Sequence, residues 1–200
     1  MYSIRLTPWY SDMSKILYIN ACCRDDSRTN ELAGVLLSNL YGDIQSVNLY
    51  DENIVPLDVK LLAKRDSLLK DGKSDDVMFS FANQFASADT IVIAAPYWDL
   101  MFPSILKVYL ENITVCGITF RYSDKGIPQS LCKAKNLYYV TTSGGFIGEN
   151  NFGFDYVKAL SRGFFGIANV ICFSAEGLDI YGADVDKILC EAKNKIKVMI

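Results

Sequence analysis

The sequence predicts an α/β fold: one doubly wound sheet of five parallel strands, with helices on both faces. Three observations carry that reading. Short, continuously apolar runs such as Ile91 to Ala95 have the look of strands buried on both sides. Each run is followed by a stretch whose apolar residues recur at helical spacing, and the alternation repeats five times. Three of the runs then empty into loops rich in hydroxyl, aromatic or glycine residues, placed where an open sheet of this kind holds a ligand.

In order, Ile16 to Asn20 is the first strand, and the loop ACCRDDS leads from it into a helix from about Arg28 to Leu40. Leu32, Val35, Leu36 and Leu40 form that helix's apolar stripe, and Asp26 or Ser27 can cap its first turn. Gly42 and Asp43 end the helix, and Ile44 to Tyr50 alternates as an edge strand does. The charged connection 51–73 holds a helix through VKLLAKRDSLL, and the next helix is expected to begin near Ser74, with Val77, Phe81 and Phe85 facing the core. The strand Ile91 to Ala95 ends in an aromatic loop closed by Pro103, which can occupy the first helical position of SILKVYLENIT. Residues 116–126 read as a short hairpin arm ending at Gly126. Leu137 to Thr142 and Asn169 to Ser174 are the last two strands, with helices at about Phe154 to Phe165 and Asp184 to Val198. Residues 1–12 show no clear period ahead of Met13-Ser14-Lys15. They are expected to be an amino-terminal extension to a single domain spanning 13–200.

Composition narrows the function. The chain has 200 residues, 22% of them charged, with a formal net charge of -3, a balance that argues against a nucleic-acid partner. No apolar run approaches the ~20 residues that span a bilayer, so no membrane partner is expected. The six cysteines make no CxxC pair and read as reduced, mostly packed thiols of a cytoplasmic protein, with no metal site. Zero histidines exclude any mechanism that needs an imidazole base.

Five strands in one domain favour the order 2-1-3-4-5, which brings the loops after strands 1, 3 and 4 to one crevice. The first loop meets a helix amino terminus, where free N–H groups, Ser27, Thr29, Arg24 and Arg28 suit an anion. It lacks both the Walker pattern and GxGxxG. The second offers Tyr97 and Trp98 as an aromatic wall. The third pairs Thr142 and Ser143 with Gly144 and Gly145, where a ligand can approach the backbone closely. A phosphate site, an aromatic wall and a glycine edge together suit FMN.

The chain resembles the FMN-dependent NADH-azoreductases, flavodoxin-fold quinone reductases of bacterial cytoplasm. The resemblance rests on KILYINACCRDDSRTNELA, on DTIVIAAPYWDLMFPSILKVYLENITVCGITFRYSDKG, and on YYVTTSGG with the later AEG, and it runs from about Ser14 onward. It implies that the flavin phosphate lies on Cys22, Ser27, Arg28 and Thr29. The ring would lie along Pro96, Tyr97, Trp98, Asp99 and Leu100, and its other edge along Thr142, Ser143, Gly144 and Gly145. It further implies a homodimer with the flavin at the subunit boundary, and favours Phe120 and Tyr122 as a lid over the neighbour's flavin, where the residues alone equally allow an ordinary packed hairpin. The chain departs from the family at Cys22, which replaces a serine, and at Asp99, which replaces an asparagine. It departs again at Ser161, which stands where an aromatic commonly lines the substrate side.

The function so implied is an FMN-dependent oxidoreductase that takes hydride from NADH or NADPH and reduces a quinone or an azo compound, with the flavin rather than a side chain carrying the chemistry. Two other readings share the fold: a flavodoxin-like electron carrier that does not oxidise NAD(P)H, and a quinone reductase that uses FAD.

Overall fold

A computed structural model describes residues 13–200. The expected extension over residues 1–12 lies outside the described residues. Five strands form one parallel sheet: β1 (Lys15–Asn20), β2 (Asp43–Asn48), β3 (Thr90–Ala94), β6 (Asn136–Thr142) and β7 (Asn169–Ala175), in the order β2-β1-β3-β6-β7. With the hairpin strands set aside, this is the predicted order 2-1-3-4-5. The register pairs Ile16 with Thr90 and Ile91 with Leu137, so β1 and β3 end level and β6 runs two residues further, to Thr142.

Alternation within the central strands builds two cores. Leu17, Ile19, Ile91, Ile93, Leu137 and Tyr139 face one side of the sheet. There they pack beneath α3 (Ser80–Ser87), α4 (Ser104–Ile113) and α5 (Phe152–Gly163), through residues such as Phe85, Leu106 and Val157. Ile16, Tyr18, Val92, Ala94, Tyr138 and Val140 face the other side, beneath α1 (Arg28–Asn39) and α6 (Val185–Met199). A strand with apolar side chains on both faces has to be covered twice, which is why these runs carry no polar interruption. At the edge, β2 buries only Val47 among its six residues, in keeping with its mixed sequence.

Several local expectations change. The helix before β3 starts later than Ser74: Asp76 caps a 3-10 turn over Val77–Phe79, its carboxylate accepting the Met78 N–H at 2.9 Å, and α3 follows. Phe85 is fully buried as expected, but Val77 falls on that turn and is 80% exposed. Pro103 is the N-cap of α4 rather than its first helical residue, with an extended ψ of 140°. The hairpin runs past Gly126, pairing β4 (Phe120–Tyr122) with β5 (Pro128–Ser130), and Gly126 sits in its turn at φ 73°. The connection 51–73 does hold its helix, α2 (Val59–Lys70), capped by Asp58 and with no fully buried residue.

Two glycines make opposite demands on a methyl group. At Gly42, between α1 and β2, an added Cβ would stand 2.2 Å from the Ser14 carbonyl oxygen, beside the bond that the same oxygen accepts from the Asp43 N–H. At Gly34, inside α1, the same atom meets nothing within 4 Å. Chemical denaturation should therefore show Gly42→Ala losing roughly 1–3 kcal/mol, because backbone must shift. Gly34→Ala should gain about 0.5–1 kcal/mol by restricting the unfolded chain.

Candidate functional site

The loop after β1 leaves the sheet abruptly. The Ala21 N–H still donates to the Ala94 carbonyl at 2.8 Å, extending the pairing with β3 by one residue. The Asn20 side chain then accepts the Cys22 N–H at 2.9 Å and turns the chain away. Ser27 caps α1: its hydroxyl oxygen accepts the Asn30 N–H at 3.3 Å. Among the described residues nothing accepts the N–H groups of Arg28 and Thr29, so the positive end of α1 opens toward the cleft.

The loop after β3 stays bonded to β6, with the Tyr97 N–H donating to the Thr142 carbonyl at 3.0 Å. Trp98 and Met101 exchange N–H···O=C bonds of 3.0 and 2.8 Å around Asp99 and Leu100, both of which have positive φ (49° and 67°). That is the geometry of a tight primed turn. Asp tolerates the left-handed region, whereas a leucine there costs about 1–2 kcal/mol. The turn thus carries strain at Leu100 and leaves the Asp99 and Leu100 N–H groups without acceptors among the described residues. The Tyr97 hydroxyl donates to the Asn150 carbonyl at 3.0 Å and ties this wall to the segment beyond β6.

The loop after β6 is stitched to the loop after β7. Its carbonyls at Ser143, Gly144 and Gly145 accept the N–H groups of Leu178, Asp179 and Gly177 at 3.1, 2.9 and 3.0 Å. The Ser143 hydroxyl donates to the Gly145 carbonyl at 2.6 Å, so it is spent on the loop itself. The Gly144 and Gly145 N–H groups have no acceptor among the described residues. Across the cleft floor the Thr29 and Thr142 hydroxyls meet at 2.6 Å, and Thr29 is 1% exposed. This one bond fastens the start of α1 to the end of β6.

These loops enclose a cleft of about 250 Å³ at the carboxyl ends of β1, β3 and β6. Of the expected residues, the cleft gathers Ser27, Arg28, Thr29, Pro96, Tyr97, Trp98, Thr142, Ser143 and Gly144. Cys22 is not among them. It is 6% exposed, its sulfur lies 3.8 Å from the Ala94 carbonyl, and burial pushes its thiol up to about 11, against the smaller opposing effect of a Ser27 hydrogen bond. Its neighbour Cys23 is exposed and does line the cleft, so only one of the pair is a packed thiol.

Asp99 and Leu100 form the exposed tip of the turn. Asp99 lines a second hollow with Tyr50, Met101 and Lys107 instead of the cleft, and its carboxylate lies where water and salt screen it. Gly145 is exposed beyond the lining, and a Cβ there would meet open space. Phe120 is 5% exposed and stands edge-on to Phe164, ring centroids 4.8 Å apart, where it anchors the hairpin. Tyr122 is exposed on the same hairpin. Ser161 is buried in α5 with its carbonyl accepting the Ile167 N–H, so it is a packing position in this fold.

Sequence reading missed Leu178 and Asp179, which close the cleft from beyond β7. Asp179 pairs with Arg28 at 3.0 Å. The signal was available in the topology, since β7 lies beside β6 and its loop must emerge at the same edge. As a donor set, the cleft offers two free helix amides, a hydroxyl and two arginines at one end. At the other stand an aromatic wall and free glycine amides, so the residues fit the phosphate and the flat, polar-edged ring of FMN.

Thr29→Val should cost about 0.5–1.5 kcal/mol in denaturation, the net worth of one hydrogen bond, since the half-buried Thr142 hydroxyl loses its partner. Adding Thr142→Val should recover part of that loss. Fully additive losses would show that the two hydroxyls do not pair.

A family profile described as flavodoxin-like fold matches residues 14–200. An FMN-dependent NADH:quinone oxidoreductase of Clostridium beijerinckii is 37% identical over 194 residues, which covers 92% of this chain and 97% of its own. An FMN-dependent NADH-azoreductase of Bacillus anthracis, solved in complex with FMN, has a TM-score of 0.79 at 25% identity, over 94% of this chain and 97% of its own. A second B. anthracis azoreductase structure, from strain Sterne, has a TM-score of 0.81 at 23% identity, over 94% and 98% of the two chains, and shows the fold alone. With a β2-β1-β3-β6-β7 sheet, a cleft at its carboxyl edge and these matches along nearly its whole described length, the chain belongs to the flavodoxin-like fold family and is a homologue of the FMN-dependent NADH:quinone oxidoreductases.

Proposed function

We propose that this protein is an FMN-dependent NADH oxidoreductase that passes two electrons to a quinone or an azo compound. The observation that carries the reading is the convergence of unpaired backbone donors, from Arg28 and Thr29 on one wall and Gly144 on another, around Tyr97 and Trp98 at a single sheet edge. The names of the C. beijerinckii relative and the FMN-bound azoreductase support FMN over FAD and an enzyme over an electron carrier.

Bound FMN would supply hydride acceptance from NADH and electron transfer to the acceptor, chemistry that no side chain of this chain provides. The chain's own residues bind and orient. The start of α1, with Ser27 and Arg28, holds an anion. Tyr97 and Trp98 give a flat ring an apolar wall, with Trp98 39% exposed and available to a ligand. The unpaired N–H groups of Gly144 and Gly145 offer fixed dipoles for negative charge that grows on reduction. With no histidine in the sequence, proton delivery falls to solvent rather than to an imidazole.

In this reading the protein is a cytoplasmic homodimer. No helix among the described residues is long and apolar enough to cross a membrane. A dimer is supported by apolar side chains left exposed near the cleft and α2, among them Tyr50, Val55, Val59, Trp98 and Leu100. A hollow between Leu57, Arg65, Leu110, Glu111, Tyr156 and Leu160 could receive a neighbour.

The reading is tested by releasing the flavin from purified protein, identifying it, and following NADH absorbance with quinones and azo dyes. FMN together with acceptor-dependent NADH oxidation is expected. FAD would favour the neighbouring quinone-reductase type, and no NADH oxidation would favour a carrier. Because one cleft serves reductant and acceptor in turn, initial rates should give parallel lines in double-reciprocal plots. Intersecting lines would require both substrates bound together.

A further inference from the structure

The anion end of the cleft holds carboxylates as well as arginines. Arg28 comes from the start of α1 and Asp179 from the loop after β7, and both line the cleft. Asp179 Oδ1 accepts from Nη1 and Nη2 of Arg28, each at 3.0 Å, and the Leu178 carbonyl accepts from Nη1 at 3.4 Å. Asp179 is fixed from behind, since its N–H donates to the Gly144 carbonyl at 2.9 Å. Gly144 also makes room for it: a Cβ at 144 would stand 2.4 Å from Asp179 Oδ2. The glycine edge of the cleft thus lets a carboxylate reach the arginine expected to serve the phosphate.

We propose that Asp179 sets the affinity for the flavin phosphate by competing with it for Arg28, so that the cofactor binds less tightly than the cleft's donors alone would allow. The inference rests on the reading of this cleft as an FMN site. A carboxylate and a phosphate ask the same thing of a guanidinium, a two-pronged N–H···O contact, and Arg28 gives part of its fork to Asp179. Two effects oppose each other. The ion pair orients Arg28, but its side chains are 41% and 67% exposed, and an exposed pair orients weakly. Against that, a carboxylate fixed in the same cleft repels a phosphate dianion and draws off the positive charge that would hold it. Charge outweighs orientation here, and removing it strengthens phosphate binding.

Asp179→Asn separates the two effects, because the amide oxygen can still accept from Arg28 while the charge is gone. Full-length protein freed of flavin is titrated with FMN and with riboflavin, which has the same ring and no phosphate. Asp179→Asn should bind FMN about three- to fivefold more tightly, the scale of an exposed ion-pair effect, and release it more slowly. Riboflavin affinity should not move, and the gain should vanish in an Arg28→Gln background. Asp179→Ser, which keeps the backbone N–H to Gly144, carries the same expectation should the asparagine variant fold poorly. FMN binding that is unchanged or weaker in both variants, with wild type still preferring FMN to riboflavin, would overturn the competition while leaving the flavin site intact. A wild type that binds FMN and riboflavin equally would overturn the phosphate reading and the inference with it.

Discussion

Everything at the functional edge depends on parallel pairing among β1, β3 and β6. A parallel sheet is stable only when both faces are covered, and the ladders Ile16–Thr90 and Ile91–Leu137 bring the carboxyl ends of three strands to the same edge. The chain must then leave the sheet three times in the same place. Each exit exposes backbone groups that lose their ladder partners there. Those groups are what this edge displays: the Arg28 and Thr29 amides and the Gly144 amide inside the cleft, with the Asp99, Leu100 and Gly145 amides exposed beside it. The binding surface is thus a consequence of how the sheet ends, with side chains added to it.

Those exits are braced against one another. The Thr29–Thr142 bond ties the first to the third, the Tyr97–Thr142 backbone bond ties the second to the third, and three carbonyls of 143–145 fasten the third to the loop after β7. Such cross-bracing lets the positive φ of Leu100 persist, because the flanking Trp98–Met101 bonds over-determine the turn. It also explains why several hydroxyls that look available in the sequence are not. Ser143 spends its proton on Gly145, Thr29 and Thr142 share one bond between them, and the Ser27 oxygen accepts from Asn30 as a helix cap. The free donors are mainly on the backbone, which suits a site that must hold a ring in more than one charge state without titrating itself.

Charge in the cleft is balanced rather than simply basic. Arg24, Arg28, Asp26 and Asp179 all line it, and Arg28 pairs with Asp179. A site built only to hold a dianion would not keep two carboxylates at that end. One that balances retention against exchange has reason to. The net charge of -3 on the whole chain gives no hint of this local arrangement.

The sequence by itself determined the sheet, its order and the edge at which the cleft opens. Short apolar runs such as IVIAA suit a doubly covered strand, and four of them with one alternating edge strand, interleaved with amphipathic helices, leave few topologies. It also named most of the lining, because Ser27 at a helix start and Tyr97-Trp98 at a strand end are local signals. The tertiary structure decided matters that depend on which way a side chain turns. Cys22 and Cys23 are adjacent in sequence, yet one faces the core and the other the cleft. Phe120 and Tyr122 share a strand, yet one anchors the hairpin and the other meets solvent. Val77 fits a helical stripe that forms only at Phe81 and Phe85, because Asp76 caps a 3-10 turn first. The Arg28–Asp179 pair joins residues far apart in the chain, and only the placement of β7 beside β6 brings them together. Periodicity and local motif fix what a residue can do, whereas contact between distant segments fixes which of those things it does.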